Sequence, residues 1–486
     1  SIALNLDGAV IDSSVIGGTT PAAGTFTTLT ANTSITGTLA TAAQTNITSV
    51  GTLTGLTLSG ALTATSLDIS GDIDVDGTTN LDVVDIDGAV DMATTLTLGG
   101  NADFNGDLDV DGTTNLDVVD VDGAANFAAD VTFADGADII TASAGTSNFR
   151  AGVNAGNSIE SGGNYNVLVG DNAGTAITTG DSNVALGMNT LTTSTTGVSN
   201  TAIGAAALQL NTTGSNNSAS GYGALYSNTT ASNNTAHGYF ALFANTTASF
   251  NTAVGTKSLE ANTTGASLVA VGYASLDKNT TGDSNVAVGE SALGANTTAS
   301  NNTAVGTSAL LANTTGASNT ALGTRALAAN TTASSNTAVG KEAMLATTTG
   351  DSNTGIGKDS LRANTTADNN TAVGHSALAA NTTGAQNTAS GVRALGTNNT
   401  GGDNTAMGYE ALRLNTTGGA NVAFGREALE SNTTADNNTG IGYFALKANT
   451  TGIQNTAVGA LAGDAITTGS YNISLGYKAL SSDTAG

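Results

Sequence analysis

Hydrophobic and polar residues alternate over short distances along residues 165–486, and the alternation recurs with a fixed period of 17 residues. Each unit reads N-T-A-V-G-x-x-A-L-x-x-N-T-T-G/A-x-x, and positions are numbered here from its Asn. The glycine of the NTAVG motif recurs 19 times, from Gly170 to Gly476, without an insertion. A period kept this strictly indicates that each unit makes the same contacts with its neighbours, which is typical of a solenoid.

Within each unit, T-A-V alternates as a strand does, with positions 2 and 4 on one face and position 3 on the other. The A-L pair at positions 8 and 9 predicts a second short segment. The glycine at position 5 and the N-T-T-G stretch predict turns. A helical hairpin is the alternative, but Thr, Asn and Gly in every unit make poor helices. The pattern therefore predicts an all-β, elongated β-solenoid or β-roll of 17-residue coils.

The aliphatic residues at positions 4 and 9 are the candidate core. Position 9 is Leu in 16 units, and we expect stacking to place each Leu above the previous one. Stacked Asn side chains are expected to hydrogen-bond to those of the neighbouring coils. Two units carry Gly174 and Gly463 at position 9 and share AITTG, so we predict that they are modified terminal coils. The predicted core residues are Val254, Leu259, Val288, Leu293, Val305, Leu310, Leu322, Leu327, Val373 and Leu378.

The front of the chain follows a different plan. Residues 1–65 alternate Leu, Ile or Val with Thr and Ser, which predicts strands with one thin apolar face. Residues 71–88 recur at 106–123, so residues 66–142 are predicted to form Asp-rich β repeats. Residues 143–164 are predicted to connect these repeats to the solenoid. Because a lone thin sheet leaves its edges unpaired, we expect a β-rich fibrous shaft of intertwined chains.

Charge is concentrated in this front part. The net charge is −26, and residues 1–149 hold 20 Asp with no Glu, Lys or Arg. Such an anionic surface repels phosphate backbones, which argues against nucleic-acid binding. The absence of Cys excludes disulfides and thiolate metal sites. No apolar run reaches about 18 residues, so no membrane insertion is predicted.

Two D-x-D-x-D-G stretches are the candidate metal sites, because calcium prefers several carboxylate oxygens. The Glu that ends an EF-hand loop is missing, since Val83 and Val118 stand there. An alternating strand would also hold the carboxylates about 7 Å apart. The favoured interpretation is therefore an outward row of Asp, with calcium as the alternative and no other cofactor. The candidate ligands are Asp72, Asp74, Asp76, Asp107, Asp109 and Asp111.

Other polar and aromatic residues could carry a site in the array. The N-T-T triplets match the glycosylation acceptor pattern, but one fixed repeat position favours a turn-forming role. Tyrosines at position 6 could stack on sugars, although covering apolar surface beside the turn is the favoured role. They are Tyr222, Tyr239, Tyr273, Tyr409, Tyr443 and Tyr477.

No catalytic constellation is predicted. His237 and His375 have no partner at a recurring spacing, so we expect each to be packed or solvated. A glycan-cleaving enzyme needs paired carboxylates, whereas Glu260, Glu290 and Asp359 stand at scattered variable positions. We therefore predict that the protein is not an enzyme.

One Leu and one Val per coil bury too little surface to offset the ordering of 17 residues. Contacts between chains are therefore expected to contribute. The Ala row at position 3, such as Ala253, Ala304 and Ala372, is small enough for close approach of another chain. We predict a homotrimer, with a monomeric solenoid as the alternative.

VIGGTTPAAGTFTTLTA at 15–31 resembles a segment common in bacteriophage tail-fibre proteins, and the DVDGTTNLDVVDIDG repeats resemble those of marine phage structural proteins. The NTAVGxxALxxNTTG array is similar to arrays that precede the chaperone domain of tail fibres and, more loosely, to the head coils of trimeric autotransporter adhesins. The resemblance implies a structural fibre in a virion tail that contacts other virion components and a host-cell receptor or glycan. A bacterial surface adhesin or extracellular filament subunit is the alternative.

Overall fold

The computed structural model describes residues 144–484 and, before them, only residues 55, 57–70, 90, 92, 95, 97–98, 102 and 125. The chain divides into two compact units, residues 1–123 and 124–486. The described residues of the first unit are exposed and lie in neither helix nor strand. Of residues 1–65, for which strands in a shaft of intertwined chains are predicted, only residues 55 and 57–65 are described, and none of these lies in a strand.

Three-residue strands from successive coils form one parallel sheet in the second unit, and each strand pairs with the next along the chain. The register from β2 onwards is one repeat, as for Thr303 with Thr320 and Val305 with Leu322. The strands are β1 Phe149–Ala151, β2 Val167–Val169, β3 Val184–Leu186, β4 Thr201–Ile203, β5 Ser218–Ser220, β6 Thr235–His237, β7 Thr252–Val254, β8 Val269–Val271, β9 Val286–Val288, β10 Thr303–Val305, β11 Thr320–Leu322, β12 Thr337–Val339, β13 Thr354–Ile356, β14 Thr371–Val373, β15 Thr388–Ser390, β16 Thr405–Met407, β17 Val422–Phe424, β18 Thr439–Ile441, β19 Thr456–Val458 and β20 Ile473–Leu475. The predicted all-β solenoid is confirmed, and no helix in the described chain is long and apolar enough to cross a membrane.

The stack begins before the repeat is visible in the sequence. Strand β1 lies within residues 143–164, the predicted connector, and pairs with β2 through Phe149 and Val167. This first step is one residue longer than the later ones. The connector therefore contributes a coil of its own.

The two faces of each strand are reversed relative to the prediction. Alanine at position 3 is fully buried, as at Ala304, whereas the position-4 side chains point outward. Leu259, Leu293, Leu310, Leu327 and Leu378 at position 9 are fully buried, as predicted. The prediction is wrong for the position-4 members of the core, which are partly or fully exposed: Val254, Val288, Val305, Leu322 and Val373.

Steric crowding explains this reversal. A Cβ built on Gly440, at position 3, would lie 3.2 Å from Cγ of Leu429, the position-9 leucine of the preceding coil. A Cβ on Gly355 would lie 2.9 Å from Cγ of Met344. Because leucine already fills the space under the sheet, only a small residue fits at position 3. The alanine row is therefore used within the chain and is not open to another chain.

The A-L pair is a turn and not the predicted second segment. In the coil that contains β10, Ser308, Leu310 and Ser318 all have φ between 50° and 60°. Gly306 at position 5 has φ 133°, a region that is essentially restricted to glycine. Left-handed backbone costs a bulky residue such as leucine about 1–2 kcal/mol, and the complete burial of its side chain offsets that cost.

Two columns of buried asparagine hold neighbouring coils together, as predicted. At position 1, the backbone N–H of Asn319 donates to Oδ1 of Asn302 at 2.9 Å, and Nδ2 of Asn319 donates to the Ala333 carbonyl at 2.8 Å. At position 12, Nδ2 of Asn313 donates to Oδ1 of Asn296 at 3.0 Å. These bonds satisfy amides that would be costly to bury unpaired.

The coils with glycine at position 9 bury an isoleucine from position 12 instead of the usual leucine. A Cβ on Gly174 would lie 2.8 Å from Cδ1 of Ile177, which is fully buried at position 12. Ile466 occupies the same place beside Gly463. Isoleucine from position 12 thus replaces the volume of the missing leucine. One further coil, which carries β20, follows the Gly463 coil, so that coil is modified but does not end the described stack.

Thr347 interrupts the position-12 column. Oδ1 of Asn330 in the preceding coil and Oγ1 of Thr347 are buried without a hydrogen-bond partner. Nδ2 of Asn364 in the next coil donates to the Ala367 carbonyl at 3.0 Å. The two unpaired oxygens therefore occur where position 12 of one coil is threonine and carries no amide.

We expect Thr347→Asn to stabilise the solenoid by about 1–2 kcal/mol, because the new amide would donate to Asn330 and accept from Asn364. Urea unfolding followed by circular dichroism would measure the gain. Thr349→Asn, at exposed position 14 of the same coil, is the matched control and should be neutral. An equal or lower urea midpoint for Thr347→Asn would contradict the interpretation of the interrupted column.

Candidate binding surface

The predicted calcium ligands, Asp72, Asp74, Asp76, Asp107, Asp109 and Asp111, lie outside the described residues. Within the described part of the chain, no group of three or more His, Cys, Asp or Glu side chains could hold a metal ion. Both histidines are exposed. His237 projects from β6, and Nδ1 of His375 lies 3.3 Å from Oγ of Ser376.

The asparagines of the N-T-T triplets are interior residues. Asn313 is fully buried, and its amide donates to Asn296 and, at 2.9 Å, to the Gly316 carbonyl. A buried amide with both hydrogens donated cannot receive a glycan in the folded chain. The triplet therefore forms the turn, which is the favoured of the two roles considered from the sequence.

The first candidate surface is the outer strand face, formed by the side chains at positions 2 and 4 of β2–β20. It consists mainly of Thr at position 2 and aliphatic residues at position 4, and neither position holds Asp, Glu, Lys or Arg in any of the 19 units. Large apolar side chains are exposed along it, including Ile203, Leu322, Ile356 and Phe424. Depletion of charge on a continuous apolar surface is typical of the core of a protein interface.

The second candidate surface is the variable face, formed by positions 6, 7 and 10. Every Lys and Arg after Arg150 stands at one of these positions, except Lys278 at position 11. All six tyrosines of position 6 belong to it, and they are exposed. Positions that vary between units of one scaffold are the positions that the fold does not constrain, so they are available for recognition.

A network of ion pairs covers the variable face between β15 and β19. Arg413 lies 2.7 Å from Glu430 and 3.3 Å from Glu410. Lys447 pairs with Glu427 and with Glu430. The hydrogen bond from Lys447 lowers the pKa of Glu427, and the same bond raises the pKa of Lys447. These charges are largely satisfied by one another.

The variable face also carries a cluster of five rings on two adjacent coils, which we name the aromatic platform. The rings of Tyr222 and Tyr239 are stacked at 5.7 Å, and those of Tyr226 and Phe243 at 5.0 Å. Phe240 lies between them, 4.1 Å from Tyr239 and 4.6 Å from Phe243. Tyr222 is 53% exposed and Tyr239 is 45% exposed, so much of the platform faces solvent.

The repeat pattern marks the position-6 tyrosines but not the two phenylalanines and Tyr226 beside them. Positions 7 and 10 hold unrelated residues in most units, so no recurring motif marks them. Aromatic residues stand at two or more of positions 6, 7 and 10 in only three units, and two of these units, with Tyr222 and Tyr239, are adjacent. Comparisons of the chain with protein-family models, with curated proteins and with solved structures found no match.

Proposed function

We propose that the protein is a non-enzymatic structural fibre protein, a rigid rod of a phage tail fibre that serves host attachment. The observation that carries this proposal is the unbroken stack of coils, in which each strand pairs with the next through the same register. Twenty strands spaced by about 4.8 Å give a rod of about 90 Å. The resemblance of the N-terminal segment and of the repeats to tail-fibre sequences adds support.

The proposal includes self-association through the outer strand face into a homotrimer. Each strand has three residues of about 3.3 Å, so this face is about 10 Å wide. With a length of about 90 Å, its area is about 900 Å². This reaches the roughly 800 Å² that each partner of a stable complex buries. A second copy of the chain has the same axial repeat, so its side chains can match this face coil by coil. Position 4, and not the alanine row, supplies the contact.

A bacterial surface adhesin or extracellular filament subunit is the second candidate function. The variable face favours it, because a spacer rod alone has no need for exposed rings and cations concentrated at three repeat positions. Both candidates place the protein outside the cell or on a virion. A gene beside tail-assembly genes would favour the fibre, and one beside an outer-membrane anchor would favour the adhesin.

Electron microscopy and light scattering of the purified protein would test the rod and its assembly. We expect particles with a straight segment of about 90 Å and a mass of three chains. Val305→Lys with Leu322→Lys, on the outer strand face, should release monomers, because buried unpaired charge is strongly unfavourable in an interface. Leu311→Lys on the variable face is the matched control and should leave the mass unchanged.

Compact particles without a straight segment would contradict the rod. Straight particles with the mass of one chain would instead contradict only the self-association.

A further inference from the structure

Gly223 provides the space that makes the aromatic platform possible. It is the one glycine at position 7 among the 19 units, and its φ is 63°. A Cβ at this position would lie 2.8 Å from both Cδ1 and Cε1 of Phe240 in the next coil. The missing side chain thus lets the Phe240 ring lie against the preceding coil, in contact with Tyr222.

A second group of rings on the variable face, Tyr409, Tyr443 and Phe444, differs from the platform because cations lie beside it. There, the Arg426 guanidinium lies 5.4 Å from the Tyr409 ring centre, and the Lys447 ammonium lies 4.0 Å from that of Phe444. Cations of the chain itself therefore cover those rings. The aromatic platform holds no charged residue, and Lys257 in the next coil is paired with Glu260 at 3.3 Å.

We propose that the aromatic platform binds a neutral glycan built from pyranoses with equatorial hydroxyl groups, by packing the sugar against the exposed parts of the Tyr222 and Tyr239 rings. Such a pyranose presents C–H groups on its flat faces, and these fit the electron-rich face of an aromatic ring. The phenol hydroxyls can hydrogen-bond to sugar hydroxyls at the rim. This inference rests on the attachment role proposed above and assigns it a ligand class and a site.

The dimensions of the platform favour a glycan over a protein. Two coils span about 10 Å along the rod, which accommodates one or two sugar rings, whereas a stable protein partner needs roughly 800 Å². A neutral sugar is favoured over an acidic one because the platform offers no cation and the chain carries a net charge of −26. The ligand is therefore small, flat and uncharged.

Calorimetric titration of the intact protein would test the site, with hexasaccharides of β-1,4-linked glucose and of β-1,4-linked N-acetylglucosamine as the probes. We expect saturable binding of at least one probe. Tyr222→Ala with Tyr239→Ala should weaken it at least about tenfold, since contact with both rings is lost. Tyr222→Phe with Tyr239→Phe should restore most of the affinity, because phenylalanine keeps the ring face.

Tyr273→Ala is the matched control, because Tyr273 occupies the same repeat position, is 56% exposed and lies outside the platform. It should bind as the unchanged protein does. No binding of either hexasaccharide, an equal loss with Tyr273→Ala, or preferential binding of oligogalacturonate would overturn the proposal. Unchanged circular dichroism would show that the alanine variants are folded, and the rod seen by electron microscopy is independent of all these outcomes.

Discussion

Gly306→Ala is expected to destabilise the solenoid by at least about 3 kcal/mol, because two unfavourable terms coincide at this residue. Its φ of 133° strains any residue with a side chain. An added Cβ would also lie 2.6 Å from the carbonyl carbon and 2.7 Å from the carbonyl oxygen of Gly323 in the next coil. That obstacle is backbone, which cannot move aside without breaking the hydrogen bond from Gly323 N–H to Val305, 2.8 Å long.

Hydrogen exchange of individual amides would measure this loss coil by coil, because neighbouring coils of a repeat array can open locally. Protection in β10 and β11 should fall about a hundredfold, and distant coils should be less affected. Gly294→Ala is the control: its φ is not positive, and the nearest atoms to its Cβ lie 3.3 and 3.4 Å away. Unchanged protection in Gly306→Ala would show that the coils are not packed this closely.

Leu310→Ala is expected to destabilise the protein by about 2–5 kcal/mol, the usual cost of truncating a buried leucine. Leu310 is fully buried, and it belongs to the position-9 column between Leu293 and Leu327. Neighbouring coils are fixed by hydrogen bonds on either side, so the cavity cannot collapse. A lower urea midpoint would report the loss.

The adjacent Leu311 provides an unusually close control, because it has the same side chain one residue away but is 39% exposed. Leu311→Ala should change stability by no more than about 0.5 kcal/mol. Leu310→Met should cost less than about 1.5 kcal/mol, since Met344 occupies the same position in another coil. Similar losses for Leu310→Ala and Leu311→Ala would refute the assigned core.

The architecture could be predicted from periodicity alone, since equal spacing requires equal contacts. The strand at T-A-V, the buried leucine column and the asparagine contacts followed from that period. The inward face of the strand did not follow. Alternation shows that Ala304 and Val305 point in opposite directions, but not which of them faces Leu293 and Leu310. The small volume left under the sheet, and not the hydrophobicity of the side chain, determines that Ala304 points inward.

The left-handed turns were also beyond prediction. Leucine has little preference for positive φ, so nothing in the A-L pair indicates the conformation of Leu310. Tertiary burial imposes it. The tyrosines of the candidate site could be picked out by their repeat position, whereas Phe240 and Gly223 matter only as neighbours across two coils.

The strict register has a consequence for the size of the molecule. Because each coil meets only the one before and the one after, removing or adding a complete unit recreates interfaces that already exist. Losing a single residue within the array would instead leave one coil too short to place both its alanine and its leucine under the sheet. The length of the solenoid is therefore expected to change in increments of one coil, about 4.8 Å each, and nearly identical units give recombination a ready means of making such changes.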